Sequence, residues 1–258
     1  MSAAGPLAGC GIVVTRPADQ ATPLAEAIRA AGGHAILFPA IEILDPADIR
    51  PLIDVIDRLE TCNLAIFISP NAVARAMRRI TARRAWPPGV RAAAIGQGGV
   101  RELQRFGISE VMAPVRSFDS EGLLALPQLQ AVAGQRVVIF RGDGGRELLG
   151  DTLTARGAQV EYVECYRRAR PRADAAPLLK AWARNEVHAV TVTSREGLRN
   201  LFEMLGEPGL SWLRRTPVFV PHPRIAAVAR ELGCGQVIES APGDAGLIEA
   251  LQQWAMAR

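Results

Sequence analysis

The amino-acid sequence predicts an α/β protein with parallel sheets, divided into two similar domains. Three observations support this prediction: short apolar runs alternate with longer segments of helical periodicity, the runs are apolar throughout, and blocks of the chain recur at a nearly constant spacing. Strands that are apolar on both faces are typical of parallel sheets covered by helices on each side. A length of 258 residues is also enough for about two domains.

The strands and helices follow from these runs in chain order. Residues 12–15 are β-branched and predict a first strand, and residues 20–31 predict a helix that ends at Gly32 and Gly33. The other predicted strands are residues 64–68, 92–95, 137–140, 189–193, 218–220 and 237–238. The segments between them carry apolar residues at helical spacing, so strands and helices alternate as they do in α/β folds.

The two halves of the chain resemble each other. Four blocks recur in the same order: residues 13–16 as 138–141, 66–69 as 190–194, 101–107 as 227–233, and 120–124 as 244–248. Any two βα units look somewhat alike, but a nearly constant offset is not expected from that similarity alone. The repeat therefore predicts a duplicated α/β unit of about half the chain, with a cleft between the two copies, and its period is too long for a solenoid.

Two segments do not fit inside a compact α/β unit. Residues 34–44 are extended and contain Pro39, and residues 160–170 occupy the equivalent place in the second copy. Each is long for one strand and ends in proline or charge. They are interpreted either as paired crossovers between the domains or as edge strands.

The charge distribution favours a small anionic ligand over nucleic acid. The formal net charge is +4, and every basic residue except Lys180 is arginine. These arginines are spread along the chain and interleaved with acids, and aromatic residues make up only 5% of the chain. Nucleic-acid binding needs clustered positive charge, often with aromatic platforms, so no nucleic-acid partner is predicted.

The sequence predicts a cytoplasmic protein without metal or membrane anchor. The four cysteines and three histidines have no ligand spacing, and scattered thiols suggest a reducing compartment. Residues 7–10 resemble a lipoprotein cleavage box, but the preceding residues lack the charge and the apolar run of a signal peptide. No run approaches the roughly 20 apolar residues of a membrane-spanning helix.

Polar residues cluster where predicted strands end and helices begin. Ligands of open α/β sheets bind at the carboxyl ends of the strands, where helix N-termini attract carboxylates and phosphates. The same residues also suit helix caps and turns, which is the alternative interpretation of each. The candidate substrate-binding residues are Thr15, Arg16, Ser69, Asn71, Gly96, Gln97, Arg141, Gly142, Gly144, Arg146, Thr193, Ser194, His222 and Arg224.

No strong base, nucleophile or phosphate loop is evident. The glycines of residues 142–145 match neither the Walker pattern nor G-x-G-x-x-G, so a nucleotide-dependent enzyme is disfavoured. His222 lies between two prolines and suits a turn, and Cys165 lacks the neighbours that activate a thiol. Tyr166 lies in the second crossover segment, where its phenol can either pack or reach a cleft.

The chain contains seven motifs that matter together, at residues 15–17, 67–73, 94–96, 140–149, 166–167, 193–200 and 221–226. In this order and spacing they resemble the uroporphyrinogen-III synthase family. The resemblance spans residues 11–251 and implies two flavodoxin-like parallel-sheet domains joined by a two-stranded linker, with the active site in the interdomain cleft. It places one domain at residues 1–38 with 168–258, the other at 42–163, and the linkers at about 37–45 and 162–170.

The resemblance also implies a reaction. Members of this family cyclise hydroxymethylbilane, lose water and invert ring D to give uroporphyrinogen III in tetrapyrrole and haem biosynthesis, which makes the chain a hydro-lyase. No cofactor or metal is implied. The substrate is a polycarboxylate, which suits arginines and helix N-termini. Tyr166 aligns with the family's cleft tyrosine, and our hypothesis is that it donates to the leaving hydroxyl. A monomer is expected.

Two departures from the family pattern bear on the site. Gln97 stands where family members often have threonine, and Pro223 with Arg224 replaces a threonine-containing turn, so that Arg224 is a substitute carboxylate partner. The alternative function is a non-catalytic two-domain ligand-binding or sensor protein of the same fold. A regulator usually carries an output domain, and none is expected beyond residue 252.

Overall fold

The computed structural model describes residues 5–258. Residues 1–4, which include the start of the predicted first domain and part of the segment considered as a leader, lie outside the described residues. The chain forms two compact units, one made of the residues up to Glu42 with Ala169–Arg258 and the other of Ile43–Arg168.

The strands and helices alternate along the chain, as predicted. The strands are β1 Gly11–Val14, β2 His34–Leu37, β3 Glu42–Leu44, β4 Leu64–Phe67, β5 Arg91–Ala94, β6 Val111–Met112, β7 Arg136–Gly142, β8 Gln159–Ala169, β9 Ala189–Thr191, β10 Val218–Val220 and β11 Val237–Glu239. The helices are α1 Ala18–Ala30, α2 Arg50–Asp57, α3 Pro70–Arg83, α4 Gln97–Arg105, α5 Ser120–Leu124, α6 Pro127–Gln130, α7 Leu148–Ala155, α8 Ala176–Ala183, α9 Arg195–Arg215, α10 Pro223–Glu231 and α11 Gly243–Met256, with a 3₁₀ turn at Leu59–Thr61.

The discontinuous unit contains a five-stranded sheet in the order β11-β10-β9-β1-β2, with parallel pairing throughout. Alternate residues of the strands enter different cores. Val13 and Val190 pack with residues of α8, α9 and α10, whereas Ile12, Val14 and Phe219 pack with residues of α1 and α11. Both faces of the sheet are covered by helices, which is why these strands are apolar without alternation.

The continuous unit contains a six-stranded sheet in the order β3-β8-β7-β4-β5-β6. Ile66 and Ile139 face a core formed with α5 and α7. The aromatic rings of Phe67 and Phe140, which belong to the neighbouring strands β4 and β7, stack with their centroids 4.9 Å apart. Helix α3 packs against β4 and β7.

The sequence repeat coincides with equivalent positions in the two sheets. Its four blocks fall on β1 and β7, on β4 and β9, on α4 and α10, and on α5 and α11. The order β6-β5-β4-β7-β8 in one sheet matches β11-β10-β9-β1-β2 in the other, and β3 is an extra strand at one edge. Counted along the chain within its own unit, the sheet of β1 and β9 has the order 2-1-3-4-5 of a flavodoxin-like sheet, and the other sheet fills the same places with a permuted chain order.

The two segments that did not fit a compact unit have different structures. Residues 34–44 form β2 and β3, which are edge strands of different sheets. Residues 160–170 fall largely within β8, which lies between β3 and β7, so the edge-strand interpretation is wrong for this segment. Strand β7 also runs past its predicted end at residue 140, so Arg141 and Gly142 belong to the strand and not to the following turn. No helix within residues 5–258 has both the length and the apolar character needed to span a membrane.

His188 provides a pH-sensitive link between the first strand and the segment that enters β9. The backbone N–H of Gly11 donates to His188 Nδ1 at 2.9 Å, so this nitrogen must be unprotonated in the fold. Burial lowers the pKa of His188 below its usual value of 6.5, and Arg258 lowers it further.

We expect the free energy of unfolding to decrease as the pH falls from about 7.5 to 5.5. The unfolded chain takes up a proton near pH 6.5, while the folded chain resists protonation until a lower pH, so acid favours unfolding in that window. His188→Asn, whose Oδ1 can replace Nδ1 as acceptor, should flatten this dependence, whereas the exposed His34→Asn control should not. Denaturant titrations at the two pH values measure the free energy of unfolding. An equal change in this free energy between the two pH values for wild type and His188→Asn would contradict the prediction.

Candidate functional site

Tyr166 packs directly on Gly142 because of an irregularity in strand pairing. Strands β7 and β8 are in regular register up to Arg141, which pairs with Glu164, but Gly142 pairs with Tyr166, so Cys165 is the extra residue of a β-bulge. Bulges of this kind redirect side chains and are common beside active sites. A Cβ atom on Gly142 would lie 2.6 Å from Tyr166 Cζ, so only glycine leaves room for the ring. The tyrosine is only 4% exposed.

The Tyr166 phenol is hydrogen-bonded to the cap of helix α3. Its Oη lies 3.1 Å from Ser69 Oγ, and Ser69 Oγ accepts from the Ala72 N–H at 3.1 Å. Either hydroxyl can donate in this contact, and when Ser69 donates, the phenol proton is free for another acceptor. Burial raises the pKa of Tyr166 above its usual 10, so the phenol is protonated at neutral pH. The sequence interpretation of Ser69 as a helix cap is confirmed.

The residues after the bulge hold Tyr166 in place. The Asp143 N–H donates to the Tyr166 carbonyl at 3.0 Å, and the Asp143 carboxylate accepts from the Arg168 N–H at 3.0 Å. Cys165 Sγ donates to the carbonyl of Arg141 at 3.1 Å, and burial raises the pKa of this thiol to about 12. Burial and this hydrogen bond disfavour the thiolate form of Cys165.

Arg141 is charged and partly unpaired. Its guanidinium carbon lies 4.1 Å from the centre of the Tyr162 ring, and its Nε and Nη1 atoms are buried without a hydrogen-bond partner. The turn that follows has Gly144 and Gly145 at φ values of 66° and 126°, which other residues rarely adopt. Arg146 in this turn forms an exposed ion pair with Glu121 at 2.9 Å.

Gly96 and Gln97 begin helix α4 at the carboxyl end of β5. Gly96 is the N-cap residue and has no side-chain cap, and Gln97 is exposed. Phe118 lies beside Gly96 and is 53% exposed, although it is a large apolar residue. Sequence reasoning missed Phe118 as a candidate site residue. The pattern that could have indicated it is an aromatic residue between Ser117 and Asp119 in an otherwise polar turn.

Thr193, Ser194, His222 and Arg224 line one open pocket of about 430 Å³ in the discontinuous unit. Ser194 caps helix α9 by accepting from the Gly197 N–H at 2.9 Å, and His222 Nδ1 caps α10 by accepting from the Arg224 N–H at 3.1 Å. His222 is thus a cap at the helix start, in keeping with its interpretation as a turn residue.

Thr15 and Arg16 are engaged with distant parts of the same unit. The Thr15 hydroxyl is buried and donates to the Thr191 carbonyl at 2.8 Å, so its side chain ties β1 to β9. Arg16 Nη1 lies 2.5 Å from the Asp244 carboxylate at the start of α11. Asn71 lies half-buried in the first turn of α3, two residues after Ser69.

The predicted site residues therefore form separate groups at the carboxyl ends of strands. Ser69, Gly142 and Tyr166 are in contact within the continuous unit, and the Thr193 pocket belongs to the discontinuous unit. A larger cavity of about 630 Å³ lies in the continuous unit at the amino ends of β5 and β6, beside Trp86 and Arg91. Within residues 5–258, histidine, cysteine and acidic side chains form no group of three that could hold a metal ion.

Comparison with protein families gives a match over most of the chain. A family model described as uroporphyrinogen-III synthase HemD matches residues 22–249. The uroporphyrinogen-III synthases of Salmonella typhimurium and Escherichia coli are each 38% identical to this chain over 245 residues, covering 93% of it and 99% of their own length. That of Synechococcus elongatus is 30% identical and covers 97% of both chains.

Solved structures show the same fold. A mutant uroporphyrinogen III synthase from the extremely thermophilic bacterium Thermus thermophilus superimposes with a TM-score of 0.60 at 18% identity, over 96% of this chain and 98% of that one. The enzyme from Helicobacter pylori 26695 superimposes with a TM-score of 0.57 at 14% identity, over 96% and 99%.

Proposed function

The chain belongs to the uroporphyrinogen-III synthase family, and from this we propose how its residues carry out the reaction. It is an enzyme of tetrapyrrole biosynthesis. The proposed substrate is hydroxymethylbilane, which closes with loss of water and inversion of ring D to give uroporphyrinogen III. The observation that carries the assignment of roles is the buried, protonated Tyr166 phenol held by Ser69 at the carboxyl end of β4.

The reaction requires that the enzyme position the substrate and assist the departure of its hydroxyl group. The substrate brings its own hydroxyl and its own pyrrole nucleophiles, and closure without the enzyme gives the isomer with ring D not inverted. The enzyme must therefore hold one folded conformation of the chain and stabilise the departing hydroxyl. We assign the second task to Tyr166, which donates its phenol proton to the hydroxyl as the bond to carbon breaks and water leaves.

We assign Ser69 as the hydrogen-bond partner that orients the Tyr166 phenol and stabilises its charge during proton donation. Its hydroxyl proton, directed at the phenol oxygen, stabilises the negative charge that develops as Tyr166 donates. The same serine aligns helix α3, whose N-terminal N–H groups favour a substrate carboxylate. The first effect depends on the 3.1 Å contact between the two hydroxyls, and the second on the hydrogen bond that Ser69 Oγ accepts from the Ala72 N–H at 3.1 Å.

Substrate carboxylates are proposed to bind at the remaining predicted positions. Arg141 and Arg224 are the arginines proposed to pair with carboxylates directly. Arg16 and Arg146 are already paired with acids, so a substrate carboxylate must compete with Asp244 or Glu121 there. The proposed contacts through backbone N–H groups or polar side chains are Thr15, Ser69, Asn71, Gly96, Gln97, Gly142, Gly144, Thr193, Ser194 and His222, and of these the Thr15 hydroxyl is engaged by Thr191.

The function is tested by a coupled assay with freshly made hydroxymethylbilane. The protein should shift the product from the type I isomer to the type III isomer of uroporphyrinogen. Formation of the type I isomer alone, at any protein concentration, would overturn the proposal and leave the binding or sensor alternative.

Ser69→Ala should lower turnover by about tenfold to a hundredfold, because Tyr166 loses the hydroxyl that prepares it. The lost cap should also cost about 1 kcal/mol of stability. Ser69→Thr, which keeps both the hydroxyl and the cap, should restore turnover to within about threefold of wild type. Steady-state rates and thermal melts separate the two effects, and a Ser69→Ala variant with wild-type turnover would show that Ser69 is only a cap.

We further propose that the enzyme acts as a cytoplasmic monomer on this small molecule and does not bind nucleic acid. Within residues 5–258 several arginines are paired with nearby acids, for example Arg83 with Asp57 and Arg58 with Glu161, which reduces the positive charge available to nucleic acid. We retain as predictions the domain boundaries at residues 38 and 42 and at 163 and 168, and a site in the cleft between the domains. Sedimentation analysis measures the oligomeric state.

A further inference from the structure

We propose that a small pocket beside Arg141 binds a single alkyl carboxylate side chain of the substrate. This inference rests on the proposed function, because it names the part of the substrate that one subsite recognises. The pocket has a volume of about 160 Å³ and lies at the carboxyl ends of β4, β5 and β7. Its walls include the apolar side chains of Ile68, Ile95 and Leu149, and Arg141 supplies charge there beside Arg146, which is paired with Glu121.

Arg141 supplies unmatched hydrogen-bond donors. A guanidinium stays charged at any physiological pH, and burying its N–H groups without acceptors is costly. Nε and Nη1 of Arg141 are in that condition. The nearby Tyr162 hydroxyl cannot relieve them, because it accepts from the Gly150 N–H at 2.8 Å and donates to the Glu147 carbonyl at 2.9 Å. Tyr162 therefore offers Arg141 only the face of its ring.

A comparison with Arg84, the other described arginine with a buried unpartnered nitrogen, shows how Arg141 differs. Arg84 also has a buried Nε without a partner, but its Nη1 donates to the Ile56 and Asp57 carbonyls at 3.1 Å and pairs with Glu60. The charge of Arg84 is thus balanced within the protein. The Nε and Nη1 atoms of Arg141 can therefore donate to an acceptor on a bound ligand.

The size and lining of the pocket define the ligand. A volume of about 160 Å³ is below the roughly 300 Å³ at which pockets begin to hold whole small molecules, so a tetrapyrrole cannot enter but one of its side chains can. Apolar walls suit a methylene stem, and a planar guanidinium suits a carboxylate at its end. An acetate or propionate side chain combines these features, whereas a phosphate group lacks the apolar stem.

The first test is kinetic. Arg141→Gln should raise KM for hydroxymethylbilane about tenfold to a hundredfold with a much smaller change in kcat, because a binding interaction present before and during the reaction is lost. Arg141→Lys, which keeps the charge without the planar fork, should fall between Arg141→Gln and wild type. Arg230→Gln, which removes an exposed arginine paired with Glu239, is the matched control and should leave KM within about twofold of wild type. An Arg141→Gln variant with the KM of the control would overturn the proposal.

The second test does not depend on turnover or on a stable variant. In wild-type protein labelled with ¹⁵N, the Arg141 Nε–H resonance should shift on titration with propionate and should not shift with propionamide at equal concentration. The assignment of the pocket would be overturned if propionate caused no shift. It would also be overturned if propionate, phosphate and chloride caused equal shifts, which would indicate an adventitious ion only. Because the titration needs no substrate, it can succeed even where the isomer assay fails, so failure of the subsite and failure of the proposed function are distinguishable.

Discussion

Tyr166→Phe is expected to lower turnover by about a hundredfold or more, in line with the usual contribution of a general acid. The ring of phenylalanine fills the same space on Gly142, so the packing of the bulge is retained. What is lost is the proton that we assign to the leaving hydroxyl, together with the 3.1 Å hydrogen bond to Ser69. Loss of that bond should cost about 1 kcal/mol of stability. Steady-state turnover with hydroxymethylbilane measures the effect.

Thr216→Val is a suitable control for loss of a buried hydroxyl. Thr216 accepts from Trp182 Nε1 at 3.0 Å and donates to the Trp212 carbonyl at 2.9 Å, outside the groups of site residues. Its substitution leaves a buried indole N–H without an acceptor, which should cost about 1–3 kcal/mol. Turnover should nevertheless stay near wild type. If Tyr166→Phe keeps turnover within about twofold of wild type, the assignment of Tyr166 as proton donor is wrong.

Gly142→Ala is expected to impair both stability and turnover. The added methyl group would lie 2.6 Å from Tyr166 Cζ and 3.0 Å from Tyr166 Oη, so the ring must move. Overpacking of this kind costs about 1–3 kcal/mol, and the displaced phenol loses its alignment with Ser69. We expect a fall in turnover of more than about tenfold, since small misplacements of a reacting group have large effects. Denaturant titration and steady-state rates measure the two consequences.

Gly89→Ala is the matched control, because a Cβ at Gly89 meets nothing within 4 Å. It should change neither property noticeably. A double substitution provides the sharper comparison. In a Gly142→Ala background the phenol is already misplaced, so adding Tyr166→Phe should reduce turnover little further. Full additivity of the two losses would show that Gly142 acts on the reaction by a route other than Tyr166.

The sequence repeat allowed the fold to be predicted because it indicates where each strand and helix lies in its unit, and not only which strands and helices are present. Each recurring block proved to lie at the same place in its sheet, and the continuous apolar strands are covered by helices on both faces. Strand β6 is too short to show a pattern, since it contains only Val111 and Met112. The end of β7 was misplaced because Arg141 and Gly142 have the composition of a turn while they pair with β8.

The site could be predicted only in part. A helix cap such as Ser69 is a local feature that a few adjacent residues determine, so it was identified correctly. Arg16 and Thr15 have partners far along the chain, in Asp244 and Thr191, and no local pattern indicates them. The bulge at Cys165 was also inaccessible to sequence reasoning, because it depends on how two strands align.

The position of β1 in its sheet has a consequence for how the chain folds. Strand β1 is made before the other strands of its sheet, yet it lies between β2 and β9, and its pairing of Ile12 with Ala189 must wait until β9 has been synthesised. The segment Ile43–Arg168, by contrast, is continuous and can fold as soon as it leaves the ribosome. In the interval, one apolar edge of β1 stays open, and closing so long a loop is slow. We expect the newly made chain to be most prone to aggregation at this stage, with Gly11–Val14 as the exposed edge.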